Sequence, residues 1–281
     1  MLAISRSTIG DLLTRSARRA PDTPALHFED RTWTYQQLEE ASTRVAAGLL
    51  DLGLRKGDRV AAFGKNSDAY VLLWFGVVKA GLVHVPVNFA LTGRELEYIL
   101  RQSGTRAVFV DEGLRPVLAA CGFSPETTGS LRSGHDGVDV LAWARSRTPA
   151  PELAVEVGDD DLAQILYTSG TTSVPKGAMM THRGLVHHYA SAAMALDLRS
   201  SDRVLHALPL YHSAQMHVFM MTSLMLGCTS WLLDVPAPTR VLKAIGAHDI
   251  NAFFAAPTVW IALLALLDKQ PELGSNLRKA F

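Results

Sequence analysis

Residues 163–184, AQILYTSGTTSVPKGAMMTHRG, hold the densest group of chemically capable side chains in this 281-residue chain. Ile165-Leu166-Tyr167 gives way to Thr168, Ser169, Gly170, Thr171 and Thr172, then to Pro175-Lys176-Gly177 and a second apolar run. Apolar runs on both sides of a hydroxyl- and glycine-rich centre predict a strand, a flexible loop and a return strand. Gly170 and Gly177 let backbone approach a ligand closely, the hydroxyls and loop N–H groups supply donors, and Lys176 adds a point charge. Donors converging on one loop beside a cation suit a polyphosphate. The common nucleotide loop G-x-x-x-x-G-K-[ST] does not fit, because Lys176 follows a proline and precedes Gly177. An ordinary surface turn has the same composition.

A second group surrounds His212 in Ala207-Leu208-Pro209-Leu210-Tyr211-His212-Ser213-Ala214-Gln215-Met216. Imidazoles in such apolar company are commonly satisfied core groups. His206, His212 and His217, and the pair His187-His188, lack the spacing of a zinc motif and have no carboxylate or cysteine three or four residues on. Met216, Met220, Met221 and Met225 offer either a flexible pocket lining or core filler. Residues 214–233 carry no formal charge, yet Gln215, His217 and Gly227 point to a buried helix over 214–226 and a strand over 228–233 rather than a membrane span.

The elements that must position these groups alternate along the chain. A helix starts at Thr8 or Ser7, a hairpin joins 25–28 to 32–35, and a helix runs from Tyr35 to Leu52 before Gly53. Strand 58–63, helix 67–80, strand 82–87, helix 93–102 and strand 106–110 follow. Residues 122–160 read as surface loops with one helix near 139–146, and a boundary falls just before Asp161. Beyond the central loop come a helix from His182 to about Leu196, strand 203–206, helix 238–247, strand 250–254 and a helix from Pro257 to about Leu267. Strands alternating with helices of this length predict a mostly parallel α/β sheet. The expected subdomains are 1–158 and 159–281.

Lys+Arg and Asp+Glu are 27 each, which gives no electrostatic argument for nucleic acid or an anionic membrane. Cys121 and Cys228 sit apart among apolar neighbours and read as buried thiols in a reducing cytoplasm. The N-terminal residues lack the apolar core of an export signal.

YTSGTTSVPKGAMMTHRGL resembles the phosphate loop of the adenylate-forming superfamily, with Ser173 where glycine is usual. Thr34–Leu38, Lys79–Asn88 and LPLYHSAQ resemble three further motifs of that family in the same order. The resemblance covers essentially the whole chain. It implies two mostly parallel sheets with flanking helices, the N-terminal part of the large domain of such an enzyme. It implies an acid–thiol ligase of the long-chain acyl-CoA synthetase type, which makes acyl-AMP from a fatty acid and ATP and then a thioester with coenzyme A. Thr168, Ser169, Gly170, Thr171, Thr172, Lys176 and Gly177 would hold the nucleotide phosphates, with Thr168 touching Mg²⁺. His212 and Lys176 would be the catalytic residues, and His212, Met216, Thr258 and Trp260 would border the acid. Family chains continue well beyond Phe281 with adenine, ribose and lid segments, so the chain is expected to be truncated and dependent on a complementing chain. The rival expectations are a non-catalytic nucleotide- or acyl-binding fragment and an acyl-AMP ligase that loads a carrier protein.

Overall fold

Short apolar runs that cannot hide on one face of a sheet must be covered on both, and that requirement dictates the architecture. The computed structural model describes residues 6–132, 137–168, 174–269, 271 and 277–281. Its strands are β1 (Pro24–Phe28), β2 (Arg31–Thr34), β3 (Arg59–Phe63), β4 (Val83–Val87), β5 (Thr105–Val110), β6 (Thr127–Ser130), β7 (Leu162–Thr168), β8 (Lys176–Thr181), β9 (Arg203–His206), β10 (Thr229–Leu232), β11 (Ala252–Phe253) and β12 (Lys279–Ala280). They form two six-stranded sheets, ordered β6-β5-β3-β4-β7-β8 and β12-β11-β9-β10-β1-β2. Each sheet is parallel except for one antiparallel edge strand, β8 in the first and β2 in the second.

The chain divides into two compact units. The first comprises residues 1–14, 37–65 and 69–187, and the second 15–36, 66–68 and 188–281. This is not the contiguous division at 158/159 expected from sequence. The hairpin β7–β8 belongs with the earlier strands because His84 of β4 pairs with Gln164 of β7. Residues 66–68 belong with the second unit through side chains. Asp68 is fully buried and accepts from Arg31 Nε (2.7 Å) and Trp33 Nε1 (2.9 Å).

In the first unit, β4 is buried at every position. Ala61, Phe63, Val85, Val108 and Val110 pack with Leu96, Ile99 and Leu100 of the helix Gly93–Gln102. In the second, Leu205 and Phe253 pack with Val241, Leu242 and Ile245 of the helix Pro238–Ala247. The helices expected from Ser7 or Thr8, over 35–52, over 67–80, near 139–146, from His182 to about Leu196 and from Pro257 to about Leu267 are present as Ile9–Arg19, Tyr35–Asp51, Asp68–Lys79, Val140–Arg145, His182–Ala195 and Pro257–Leu267. Helix Arg115–Ala120 and strands β6 and β12 were not expected. The helix expected over 214–226 is an i→i+5 bonded segment, Ala214–Met221, followed by an α-turn, Thr222–Leu226. Thr222 Oγ1 donates to the His217 carbonyl, five residues back, at 3.1 Å. No helix among the described residues is long and apolar enough to cross a membrane.

Three buried imidazoles tie the elements locally. His182 Nδ1 accepts the Ile9 N–H (3.2 Å), His217 Nδ1 meets the Tyr189 hydroxyl (2.9 Å), and His206 lies between Gln215 and Ser230. Burial lowers their proton affinity from 6.5, to about 4 for His182 and about 3 for His206 and His217. The unfolded chain therefore takes up more protons than the folded one once pH drops below 6.5. Stability is full above that value and erodes toward pH 3–4, by about 1–2 kcal/mol per imidazole near pH 5. Urea unfolding should show a midpoint clearly lower near pH 5 than near pH 7.5; equal midpoints would contradict the buried neutral state.

Candidate functional site

The antiparallel register of β7 and β8 places Thr168 opposite Lys176, Tyr167 opposite Gly177 and Leu166 opposite Ala178. Because side chains alternate along a strand, Thr168 and Lys176 share one face of the hairpin, and Ile165, Tyr167 and Gly177 the other. Ile165 and Tyr167 pack on the core cluster beneath helix Gly93–Gln102. Thr168 and Lys176 are exposed at the mouth of the loop they close. Ser169, Gly170, Thr171, Thr172 and Ser173 lie outside the described residues.

The same helix braces the strand ends. Tyr167 Oη donates to Gln102 Oε1, and Tyr98 Oη donates to the Pro175 carbonyl at 3.3 Å. Burial pushes the Tyr167 hydroxyl above its ordinary value, so it stays a neutral donor.

Gly177 has a packing reason that the sequence did not reveal. A Cβ there would lie 2.7 Å from Ile165 Cγ2 and 3.2 Å from Tyr167 Cζ. The missing side chain makes room for the cross-strand residues on the packed face. Its backbone is not in the left-handed region, so packing and not conformational freedom demands the glycine.

In the second unit, His212 ends a turn in which its N–H donates to the Pro209 carbonyl (3.1 Å). Its carbonyl accepts from Met216 N at 3.0 Å, and its ring lies 4.4 Å from that of Tyr211. His212 is exposed, yet the surrounding protein still lowers its proton affinity, which favours neutral imidazole at neutral pH. Met216 is buried. Trp260, on the helix Pro257–Leu267, donates Nε1–H to the Phe281 carbonyl (2.9 Å) and meets Phe253 edge-on. Thr258 is exposed on the same helix. The structure thus joins His212 to Met216 through the backbone and places Thr258 and Trp260 on one helix. The loop residues belong to the first unit and this group to the second.

His206 and His217 are satisfied by Gln215, Ser230 and Tyr189, and no cluster of metal-ligating side chains occurs among the described residues. Sequence reasoning missed two polar groups. Asn66, 2% exposed, holds the turn that carries His212. It stands in the polar run Lys65-Asn66-Ser67-Asp68, which gives no sequence signal of that contact. The other group lines a cavity of about 260 Å³ in the first unit. There Lys79 Nζ donates to Glu39 O (3.0 Å) and Thr43 Oγ1 (2.9 Å) and lies 2.8 Å from Glu39 Oε2, so its charge is already neutralised.

A mixed sheet whose edge hairpin closes a hydroxyl-rich loop with a lysine at its exit, together with a second sheet of the same build, is the architecture of an adenylate-forming enzyme. The chain belongs to the AMP-binding enzyme family, whose profile matches residues 13–281. It is 34% identical over 265 residues to a feruloyl-CoA synthase of Amycolatopsis sp, covering 92% of this chain and 50% of that protein. It is 36% identical over 271 residues to the long-chain-fatty-acid–CoA ligase FadD13 of Mycobacterium tuberculosis, covering 95% and 52%. It is 38% identical over 201 residues to the fatty acid–[acyl-carrier-protein] ligase ScoC of Streptomyces coeruleorubidus, covering 70% and 38%. Among solved structures it matches the inhibitor-bound N-terminal domain of FACL13 from Mycobacterium tuberculosis, with TM-score 0.82, 32% identity, 92% of this chain and 65% of that one. It also matches ATP-bound MatB from Rhodopseudomonas palustris, with TM-score 0.85, 27% identity, 98% and 54%. The chain spans about half the length of the curated relatives FadD13 and feruloyl-CoA synthase.

Gly177→Ala should cost about 1–3 kcal/mol of stability through overpacking against Ile165. A thermal melt checks this, and a variant as stable as the parent would show that the packed face has room for a methyl.

Proposed function

We propose that this chain carries the phosphate-loop and acid-binding part of the adenylation site of an acid–thiol ligase that activates a fatty acid. A carboxylate oxygen attacks the α-phosphorus of Mg-ATP, the bond to the bridging oxygen breaks, and pyrophosphate departs to leave acyl-AMP. The sulfur of coenzyme A then attacks the acyl carbon, AMP leaves, and the thiol proton passes to solvent. The observation that carries the reading is the pairing of Thr168 with Lys176, both exposed, at the loop end of the hairpin.

In this reading Lys176, with Ser169 to Thr172 and Gly177, offsets the charge that grows on the departing pyrophosphate, the largest electrostatic demand of the first step. Mg²⁺ arrives with the nucleotide as part of the substrate, and Thr168 is the residue that would touch it. The residues of the second unit would act on the acid. Neutral His212 would orient the carboxylate without trapping it in an ion pair, and Met216, Thr258 and Trp260 would border its chain. The choice of a fatty acid is supported by the methionine-rich helix Ala214–Met221 and by the long-chain ligase among the relatives.

A second acceptor has its own support. One relative is a fatty acid–carrier-protein ligase, which favours transfer of the acyl group to a carrier's thiol in place of coenzyme A.

The test is fatty-acid-dependent exchange of labelled pyrophosphate into ATP, run against a panel of straight-chain and aromatic acids. Lys176→Ala should lower the exchange rate by about 10- to 100-fold with the melting temperature unchanged. Equal exchange in a folded variant would remove Lys176 from the reaction, and exchange with aromatic acids alone would overturn the fatty-acid assignment.

A further inference from the structure

The backbone that presents His212 is held by side chains with no freedom in how they pair. Asn66 Nδ2 donates to the carbonyls of Leu208 (2.9 Å) and Leu233 (3.0 Å), and its Oδ1 accepts from Leu210 N (2.8 Å). Leu208 N donates to Gln215 Oε1 at 3.2 Å. That leaves the Gln215 amide nitrogen, a donor only, facing His206 Nδ1 at 2.9 Å. His206 Nδ1 must therefore accept, its proton sits on Nε2, and Nε2 donates to Ser230 Oγ at 3.2 Å. Asn66, His206, Gln215 and Ser230 are each 2% exposed or less.

Together with the Pro209 carbonyl, which takes the His212 N–H, these bonds engage Leu208 N, Leu208 O, Pro209 O and Leu210 N. With the His212 N–H, five backbone groups are fixed within the five residues that end at His212. Leaving a buried amide or imidazole without a partner is costly, so a set this fully paired holds its backbone firmly. A surface turn that needed only to close would not require this set.

We infer that Asn66 is a positioning residue for His212, with Gln215 and His206 as its supporting pair, so that the imidazole keeps one orientation toward the acid. The inference rests on the acid-binding role proposed for His212. Asn66 touches only backbone and acts through the turn.

The experiment follows the His212 ring resonance by NMR, assigned by its loss in His212→Gln, in the parent and in Asn66→Ala. Releasing the turn should move the His212 titration midpoint toward that of free imidazole and broaden its resonance. His206 and His217 should stay untitrated near neutral pH, which reports an intact core. An unchanged His212 midpoint and line width in folded Asn66→Ala would overturn the inference. Should Asn66→Ala fail to fold, Gln215→Ala removes the Leu208 N contact to the turn together with the bond to His206 Nδ1, and it is judged by the same criterion with His217 alone reporting the core. Addition of a fatty acid to the parent separates the two readings. A His212 resonance indifferent to the acid defeats its proposed role, while the effect of Asn66 still decides whether the turn is positioned from position 66.

Discussion

The antiparallel return of β8 along the edge of a parallel sheet is the constraint on which the candidate site depends. One face of that hairpin is committed to the core by Ile165 and Tyr167. A slip of one residue in register would turn Lys176 inward and carry its charge into the apolar cluster. The sequence Pro175-Lys176-Gly177 therefore divides its work by face. Lysine stands outward beside Thr168, and glycine lies inward, where the opposed Tyr167 ring and the Ile165 methyl leave no space for a side chain. Helix Gly93–Gln102 completes the arrangement by holding Tyr167 and the Pro175 carbonyl at the two ends of the loop.

The second unit solves a different problem, how to fix an exposed imidazole on a turn that contains a proline and so lacks one backbone donor. Its solution is a buried polar chain in which each donor and acceptor has one assignment. That chain is why His206 belongs to the framework and not to a metal site. Its Nδ1 accepts from Gln215, and protonation would cost both the bond and the burial. His212, four residues beyond Leu208, is exposed and lies outside the buried chain.

Much of this was legible in the sequence because the signals were apolar and periodic. Runs such as Val60-Ala61-Ala62-Phe63 and the helix with Leu96, Ile99 and Leu100 announce themselves, and so does the change from Leu166-Tyr167 to Thr168. The illegible parts are those set by a partner. Strand β6, Thr127–Ser130, has no apolar pattern of its own and forms because β5 offers an edge. A Cβ at its Gly129 would lie 2.5 Å from the Phe109 ring. The widened turns of Ala214–Met221 leave no trace, since residues five apart carry no distinctive spacing. Asn66 was hidden for the same reason, as its carbonyl partners Leu208 and Leu233 are far away in sequence. At Gly177 the residue was noticed but its packing role was not, because glycine for close approach to a ligand and glycine for close approach to a ring look identical in sequence.

The measurement that tests the central claim most directly is backbone amide exchange across residues 162–181 with and without Mg-ATP. The account predicts that nucleotide slows exchange at the loop and at the Thr168–Lys176 end of the hairpin. Amides around Gln164 and Met180, already held in the sheet, should change little. Protection that appears elsewhere in the chain while this hairpin stays unaffected would contradict the assignment of the loop to the nucleotide's phosphates.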